Sequence, residues 1–189
     1  MNRQKKIMVW LGIILLSWFG DSLSQVEKVE KKDSLKIGSP AATFFLRTLQ
    51  GEEFYLSDYC GKLRQPWKSD KQFVVILSFF ATWCQPCLKE IPELEEIAEK
   101  FGKQDLKVFL INVKEKAEVV ASFVQKHQIK LPVLLDLYGV VAQKYQVNKL
   151  PRYVVIDKDG KVVLIGEGYE ADFKEKLSTE LVKLFEGNP

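Results

Sequence analysis

Two cysteines separated by two residues are the part of this sequence best suited to chemistry. Cys84 and Cys87 stand in the segment Trp83-Cys84-Gln85-Pro86-Cys87. Residues at this spacing lie one turn apart on a helix, near enough for the two sulfurs to form a disulfide. The pair is therefore suited to a reversible dithiol/disulfide cycle, in which one thiolate attacks a partner's disulfide and the second cysteine resolves the mixed disulfide.

An apolar segment and an amphipathic pattern flank the two cysteines. Residues 73–80 form an almost uninterrupted apolar run, rich in β-branched and aromatic side chains, which is typical of a buried strand. Between residues 91 and 101, apolar side chains recur at helical spacing with charged residues between them, and Gly102 follows. The sequence therefore places both cysteines where a buried strand gives way to a helix.

This position favours activation of the first cysteine. The first N–H groups of a helix have no partner within the helix and its dipole is positive there, so a thiolate is stabilised and its pKa falls below the free value of about 8.5. Cys84 is thus the predicted nucleophile, and Cys87 is the predicted resolving thiol. Pro86 suits the first helical turn, where a missing N–H has no consequence. Together with Gln85 it is expected to tune the redox potential.

A structural disulfide and half of a zinc site are the alternative interpretations of the pair. A zinc site needs further ligands, and besides Cys84 and Cys87 the chain contains only Cys60 and His127 as cysteine or histidine. Cys-x-x-Cys between a strand and a helix is a strong contextual signal for redox chemistry, so no metal site is predicted.

The third cysteine and the single histidine are interpreted as structural residues. Cys60 is interpreted as a packed thiol, with a secondary redox or intermolecular role as the alternative. His127 falls near the end of a predicted helix, where the dipole favours it, and a structural or surface role is expected.

The N-terminus has the pattern of an export signal or a membrane anchor. A basic cluster at residues 3–6 precedes an almost entirely apolar run at residues 7–19. The run is shorter than the roughly 20 residues that a spanning helix prefers, and small residues precede Gln25, which favours cleavage after residue 24. Membrane anchoring through residues 7–20 is the alternative. In both cases the predicted location is periplasmic or otherwise extracytoplasmic, where disulfides persist.

The remaining chain has the pattern of a tether followed by one domain. Residues 25–36 are charged and almost free of large apolar side chains, which predicts a flexible linker. Residues 37–189 are expected to form a single globular domain. Loss of residues 1–24 removes three basic residues and one acidic residue and lowers the formal net charge from +3 to +1. This balance gives no reason to expect nucleic-acid binding.

Strand and helix patterns alternate through this domain. The predicted elements are a hairpin over 41–49 and 52–56, strands at 106–113 and 131–136, helices at 115–127 and 140–147, a second hairpin over 152–166, and a helix that begins after Asp172. A strand–helix–strand–helix order with short loops predicts a parallel sheet covered by helices on both faces.

The cysteine motif and its surroundings resemble a known superfamily. The stretches FFATWCQPCLKEIPEL and, much later, LPRYVVIDKDGKVV are similar to those of the thioredoxin superfamily. Within it they resemble the TlpA/ResA-like extracytoplasmic thiol-disulfide oxidoreductases, which are often grouped with the AhpC/TSA redoxins. The resemblance runs from about residue 37 to the C-terminus. It implies a thioredoxin-like α/β fold, with a central mixed β-sheet flanked by helices and an N-terminal β-hairpin extension.

The resemblance also implies roles for residues outside the motif. It implies a cis peptide bond before Pro151, facing the cysteines, with Leu150 offering its backbone N–H and C=O to an extended substrate segment. It associates Glu90, three residues beyond Cys87, with the active site. A carboxylate of raised pKa there would accept the proton that Cys87 must lose; the alternative is a first-turn glutamate favoured by the helix dipole. Trp83, a flat apolar surface beside the nucleophile, is expected to contact partner proteins.

One position departs from classical thioredoxins. These proteins carry a buried aspartate six residues before the first active-site cysteine, where this chain has Ser78. A proton acceptor of that type is therefore absent, which weakens a cytosolic thioredoxin assignment and favours the TlpA/ResA-like branch.

The function that the resemblance implies is reduction of protein disulfides outside the cytoplasm without a cofactor. The reductase would be recharged by a membrane thiol-disulfide electron donor, with apocytochrome c as one substrate to consider. A disulfide-introducing oxidant is an alternative, because a low-pKa Cys84 stabilises the dithiol form. A peroxiredoxin-like enzyme would have threonine three residues before the reactive cysteine, where this chain has Ala81. A copper-binding assembly factor would have three residues between its cysteines, where this chain has two, and a histidine in the C-terminal hairpin region.

Overall fold

The computed structural model describes residues 35–65 and 71–186. The predicted signal or anchor segment and residues 25–34 of the predicted linker lie outside the described residues. The division of the chain into residues 1–24, 25–36 and 37–189 therefore stays a prediction. Within 35–65 and 71–186, no helix is long and apolar enough to cross a membrane.

Strands and helices alternate in nearly the predicted order. In chain order the elements are β1 (Phe45–Thr48), β2 (Glu53–Tyr55), β3 (Val74–Phe80), α1 (Gln85–Phe101), β4 (Leu106–Val113), α2 (Ala117–His127), β5 (Val133–Asp136), α3 (Val140–Lys144), β6 (Arg152–Ile156), β7 (Val162–Glu167) and α4 (Phe173–Glu186). The N-terminal hairpin is present but shorter than predicted, and α2 begins two residues later than predicted.

The strands of the described part form one mixed sheet in the order β2-β1-β5-β4-β3-β6-β7. The three central strands β3, β4 and β5 are parallel, because α1 and α2 return the chain to the same end of the sheet between them. The hairpin β6–β7 adds to β3 in the antiparallel sense, and the hairpin β1–β2 adds to β5 in the same way. The predicted thioredoxin-like architecture with its N-terminal hairpin extension is confirmed.

Two apolar layers cover the two faces of this sheet. Every residue of β3 is buried, as expected for a strand covered on both sides. Its even-numbered apolar residues face the layer formed with α1, α2 and α4, and its odd-numbered residues face the layer formed with α3 and the N-terminal hairpin. Ser78 is an even-numbered position, so a polar side chain points from β3 toward α1.

The parallel strands β3, β4 and β5 all end at the same edge of the sheet. Loops that follow parallel strands meet at this edge, where open α/β sheets commonly carry their functional residues. The loop after β3 leads into the cysteine motif. Because β6 is antiparallel to β3 and pairs Arg152 with Phe79, the start of β6 lies at this edge as well.

Candidate active site

The cysteine pair lies at the N-terminus of α1. Cys84 is the N-cap residue, with an extended backbone, and Cys87 lies in the first turn. The Sγ of Cys84 accepts a hydrogen bond from the backbone N–H of Cys87 at 3.3 Å. A disulfide joins the two residues, whose Cα atoms are 5.3 Å apart. The predicted position of both cysteines, between a buried strand and a helix, is confirmed.

This geometry determines which sulfur the helix stabilises in the reduced state. A side chain at the N-cap faces the unpaired N–H groups of the first turn and the positive end of the dipole. In the reduced protein both features would stabilise a thiolate on Cys84. Cys87 is completely buried, whereas Cys84 retains 3% of its surface for an incoming partner.

Glu90 is a carboxyl group enclosed in the protein core. Its exposed fraction is 0%, which goes beyond the partial burial expected from the sequence. The Ser78 hydroxyl donates a hydrogen bond of 2.6 Å to Oε1 of Glu90. Oε2 has no hydrogen-bond donor in the described part of the chain.

The surroundings of Glu90 hold its pKa near neutrality. Burial raises the pKa to about 7, the Ser78 hydrogen bond opposes this rise, and the negative charge of Glu93 adds to it. A carboxyl group with such a pKa can both accept and release a proton at neutral pH. Because Cys87 and Glu90 are three residues apart in α1, their side chains are neighbours on the helix surface.

The segment that precedes β6 lies at the same edge of the sheet as the cysteines. The peptide bond between Leu150 and Pro151 is cis, so this prediction is confirmed. Pro151 is buried and Leu150 is half-buried. The carbonyl of Pro151 accepts a hydrogen bond of 2.7 Å from the backbone N–H of Gly168, which ties the segment to the end of β7.

The residues around the nucleophile differ strongly in exposure. Trp83 is 71% exposed although it directly precedes the buried Cys84. Gln85 and Pro86, between the two cysteines, are also exposed. An exposed tryptophan beside a nearly buried sulfur presents a flat apolar surface to any molecule that approaches the disulfide.

Sequence reasoning did not single out Glu115, which supports the loop before the motif. Its carboxylate accepts hydrogen bonds from the backbone N–H of Thr82 at 2.7 Å, from the Thr82 hydroxyl at 2.5 Å and from the Nδ2 of Asn112 at 2.7 Å. Thr82 is separated from Cys84 only by Trp83. The available signal was an acidic residue just after a parallel strand, at the edge of the sheet where loops converge.

Cys60 and His127 lie apart from the cysteine pair. Cys60 is buried in the apolar layer on the opposite face of the sheet from Cys84. Burial raises the pKa of the Cys60 thiol to about 12, with a smaller contribution from Asp157, as fits a packed thiol. His127 is exposed, with its ring centroid 4.6 Å from that of Phe123. Among the residues that the structure describes, no group of three or more His, Cys, Asp or Glu side chains is arranged to hold a metal ion.

Residues 37–165 match the model of the AhpC/TSA family. The thiol-disulfide oxidoreductase ResA of Bacillus thuringiensis subsp. konkukian is 32% identical over 154 residues, which cover 82% of this chain and 82% of that protein. ResA of Bacillus subtilis strain 168 is 30% identical over 169 residues, with 89% and 88% covered.

Solved structures give the same result. A putative thiol:disulfide interchange protein DsbE from Chlorobium tepidum superposes with a TM-score of 0.71 and 28% identity, covering 80% of this chain and 99% of that chain. The pneumococcal exposed lipoprotein thioredoxin Etrx1 from Streptococcus pneumoniae strain TIGR4 superposes with a TM-score of 0.61 and 31% identity, covering 76% and 100%.

The site and these relatives lead to one assignment. A close pair of cysteines at a helix N-terminus has the arrangement that reversible disulfide exchange requires. The relatives match this chain in sequence, and the solved structures match it in fold, over most of its length. The chain belongs to the AhpC/TSA family, in its TlpA/ResA-like thioredoxin branch, and is a thiol-disulfide oxidoreductase.

Proposed function

We propose that this protein reduces disulfides of other proteins outside the cytoplasm, with Cys84 as the attacking thiol and Cys87 as the resolving thiol. The observation that carries the proposal is the position of Cys84 as the N-cap of α1, bonded to a completely buried Cys87. Only the sulfur at the helix end is stabilised as a thiolate and retains exposed surface.

The cycle begins with the reduced pair. The Cys84 thiolate attacks one sulfur of a substrate disulfide, an intermolecular S–S bond forms, and the first substrate sulfur leaves as a thiolate. Cys87 then loses its proton and attacks the Sγ of Cys84. The intermolecular bond breaks and the second substrate sulfur leaves, so two electrons have passed to the substrate and the protein holds the Cys84–Cys87 disulfide.

Glu90 is proposed as the acceptor of the Cys87 proton. Resolution requires a thiolate at Cys87. This residue is buried, and burial disfavours the charged form of a thiol. Glu90 neighbours it in α1 and has a pKa of about 7 because it is buried, so at neutral pH the carboxylate is available as a general base. We expect resolution to be faster as the pH rises through this value.

Substrate contact is proposed for Trp83, Leu150 and Pro151. Trp83 offers an exposed apolar surface next to Cys84. The Leu150–Pro151 segment lies at the same edge of the sheet, where an extended substrate could add alongside the backbone of Leu150. Gln85 and Pro86, exposed between the cysteines, are proposed to tune the reduction potential.

The location and the electron donor complete the proposal. The basic and apolar pattern of residues 1–24 supports export, either with cleavage or with anchoring through residues 7–20. A reductase outside the cytoplasm needs a continuing supply of electrons, which we propose comes from a membrane thiol-disulfide donor. Apocytochrome c, whose cysteines must be reduced before haem attachment, is the proposed substrate.

Cysteine variants test the division of roles. Cys84→Ser is expected to abolish reduction of a disulfide-bonded protein, whereas Cys87→Ser is expected to accumulate mixed disulfides, visible on a non-reducing gel and lost on addition of dithiothreitol. Cys60→Ser is the matched control and should behave as the wild type. Wild-type turnover by Cys87→Ser would contradict the two-cysteine mechanism.

The reduction potential tests the direction. The oxidised protein is equilibrated with glutathione or dithiothreitol buffers, and the fraction of disulfide is measured by alkylation and mass spectrometry. A value below about −200 mV supports a reductase, and a value near the about −120 mV of a strong protein oxidant contradicts it. Fusion of residues 1–36 to an alkaline phosphatase lacking its own signal tests export, because that enzyme is active only outside the cytoplasm.

A further inference from the structure

A buried proton acceptor needs a route to solvent. If Glu90 takes the proton of Cys87, as the proposed function requires, it must release that proton before the next cycle. Glu90 has no exposed surface, and its only described hydrogen-bond partner is the Ser78 hydroxyl, which is itself buried. A neighbouring side chain that can also bind a proton would give it a route to solvent.

Glu93 is placed to be this neighbour. It follows Glu90 by three residues in α1, so the two side chains are neighbours on the helix, and the negative charge of Glu93 acts on Glu90. Oε2 of Glu90 and Oε2 of Glu93 are both buried, and neither has a hydrogen-bond donor within residues 35–65 and 71–186. One proton held between the two carboxyl groups, directly or through one water, would give both oxygens a partner, and an unpaired buried acceptor is otherwise destabilising.

Tyr169 fixes the other end of Glu93. Its hydroxyl donates a hydrogen bond of 2.7 Å to Oε1 of Glu93. Tyr169 is half-buried in the loop between β7 and α4. The centroid of its ring lies 6.2 Å from the centroid of the Phe173 ring. Glu93 is itself only partly buried. It therefore extends from the enclosed Glu90 to a tyrosine at the protein surface.

The other charged and titratable groups around this pair belong to three further elements. Tyr153 of β6 lies near Glu90, and its pKa is raised by burial and then by Glu90 and Glu170. From the loop before α4 and from α4 itself come Glu170, Lys174, Glu175 and Lys176. Lys176 forms salt bridges with Glu170 and Asp172, and Lys174 forms a salt bridge with Glu96. Both lysines thus have other carboxylate partners, and Tyr169 is the described donor to Glu93.

We propose that Glu93, held by Tyr169, carries to solvent the proton that Glu90 accepts from Cys87. The proton passes from Glu90 to the Glu93 carboxylate and then to water, while Tyr169 keeps its own proton throughout. No electrons move in this step, and both carboxyl groups return to their starting state. Glu93 acts through Glu90 and is therefore a positioning residue rather than a catalytic one.

The first test follows resolution in the reduced protein. When Cys84 attacks an aromatic disulfide such as dithionitrobenzoate, one coloured thiol is released, and a second is released when Cys87 resolves the mixed disulfide. Stopped-flow absorbance separates the two steps. In Glu93→Gln the midpoint of the resolution pH profile is expected to fall by about 0.5 unit or more, because a like charge next to Glu90 is lost. The rate of repeated turnover, with a protein disulfide as substrate and dithiothreitol as electron donor, is expected to fall about tenfold, because Glu90 must release its proton before each further cycle. Glu99→Gln, an exposed glutamate of the same helix, is the matched control and should change neither.

The second test reads the Glu90 carboxyl group directly. Glutamate labelled with ¹³C at the side-chain carboxyl should show Glu90 titrating with a pKa of about 7 in the wild type. Glu93→Gln should lower the pKa of Glu90, because the negative charge that raises it is lost. Tyr169→Phe should slow repeated turnover, because the hydrogen bond that holds Glu93 is lost. This variant keeps the ring, and circular dichroism checks its fold.

The outcomes separate this proposal from the function on which it rests. If Glu90→Gln leaves the resolution profile unchanged, Glu90 is not the acceptor and the proposed role of Glu90 is wrong. If Glu90→Gln alters the profile but Glu93→Gln behaves as Glu99→Gln does, only the route through Glu93 is overturned. A fallen midpoint with an unchanged rate of repeated turnover also overturns the route, because Glu93 would then act on Glu90 by its charge alone.

Discussion

The hydroxyl of Ser78 lies 2.6 Å from Oε1 of Glu90 and donates a hydrogen bond to it. Ser78 belongs to β3, which leads into the cysteine motif, and Glu90 belongs to α1, which follows the motif. The bond therefore links the two elements that position Cys84 and Cys87. It also lowers the pKa of a carboxyl group that burial raises.

Removal of the serine hydroxyl is expected to shift this balance. In Ser78→Ala the pKa of Glu90 should rise above about 7, because burial and the charge of Glu93 remain while the opposing hydrogen bond is lost. The midpoint of the pH profile for resolution should move upward by the same amount. The unpaired buried oxygen should also lower the free energy of unfolding by about 1–3 kcal/mol in urea titrations. Ser122→Ala, an exposed serine of α2, is the control, and equal profiles for the two variants would contradict the prediction.

The buried carboxyl group should make stability depend on pH. The pKa of Glu90 is about 7 in the folded protein against an ordinary value of 4.5, so between these values the folded state binds more protons than the unfolded state. The free energy of unfolding should therefore fall as the pH rises through this window. The stability contributed by protonated Glu90 is fully present below pH 4.5 and is lost above about pH 7. It amounts to about 3 kcal/mol in the free energy of unfolding.

Urea unfolding of the oxidised protein at pH 5 and at pH 8 checks this expectation. Glu90→Gln has no such titration and should lose less stability between the two pH values than the wild type. Glu99→Gln should retain the wild-type dependence. The prediction would be wrong in sign if, between pH 5 and pH 8, the free energy of unfolding rose more in the wild type than in Glu90→Gln.

The third cysteine should be chemically silent in the folded protein. Burial raises the pKa of the Cys60 thiol to about 12, so almost no thiolate forms near neutral pH. Iodoacetamide at pH 8 should label Cys60 only after unfolding in urea, as measured by mass spectrometry of peptides, whereas reduced Cys84 should be labelled in the native state. Cys60→Ala should retain turnover. Labelling of native Cys60 at the rate of Cys84 would instead favour a redox role.

The exposed tryptophan should contribute to substrate binding and little to folding. Trp83 is 71% exposed, so Trp83→Ala should change the free energy of unfolding by no more than about 0.5 kcal/mol. If the indole contacts the substrate, KM for a protein disulfide should rise at least about fivefold, as for an aromatic residue at an interface. Ile37→Ala is the control, because Ile37 is also largely exposed, at 66%. It lies far from Cys84, since the segment that follows it pairs with the start of β7, at the other end of the strands. An unchanged KM for Trp83→Ala would remove Trp83 from the binding surface.

Features that depend on neighbouring residues in the chain could be predicted from the sequence. The apolar run of β3, the helical period of α1 and the two cysteines between them predict the activated sulfur, because a helix N-terminus is a local arrangement. The parallel order of the central strands followed from the alternation of strand and helix patterns. The cis bond before Pro151 is different, since it was predicted from the resemblance and not from residue patterns.

The strand ends and the start of α2 were predicted less well. The pattern over residues 41–49 favoured a long first strand, but β1 covers only Phe45–Thr48. A strand extends only as far as it has partners, and β1 pairs with the short strand β2 on one side and with two residues of β5 on the other. Helix α2 begins at Ala117, because Glu115 is engaged with Thr82 and Asn112 instead of starting the helix.

The sequence by itself determined the redox pair, its place at the helix N-terminus and the class of fold. Only the tertiary structure decided the surroundings of the carboxyl groups. Ser78 and Glu90 are 12 residues apart, Thr82 and Glu115 are 33 apart, and Glu93 and Tyr169 are 76 apart. No periodic pattern connects such positions, because their contact depends on how α1, the loop before α2 and the loop before α4 pack against the sheet and one another. The same packing removes Glu90 from water completely, and this desolvation raises its pKa to about 7, where a carboxyl group can both accept and release a proton near neutral pH.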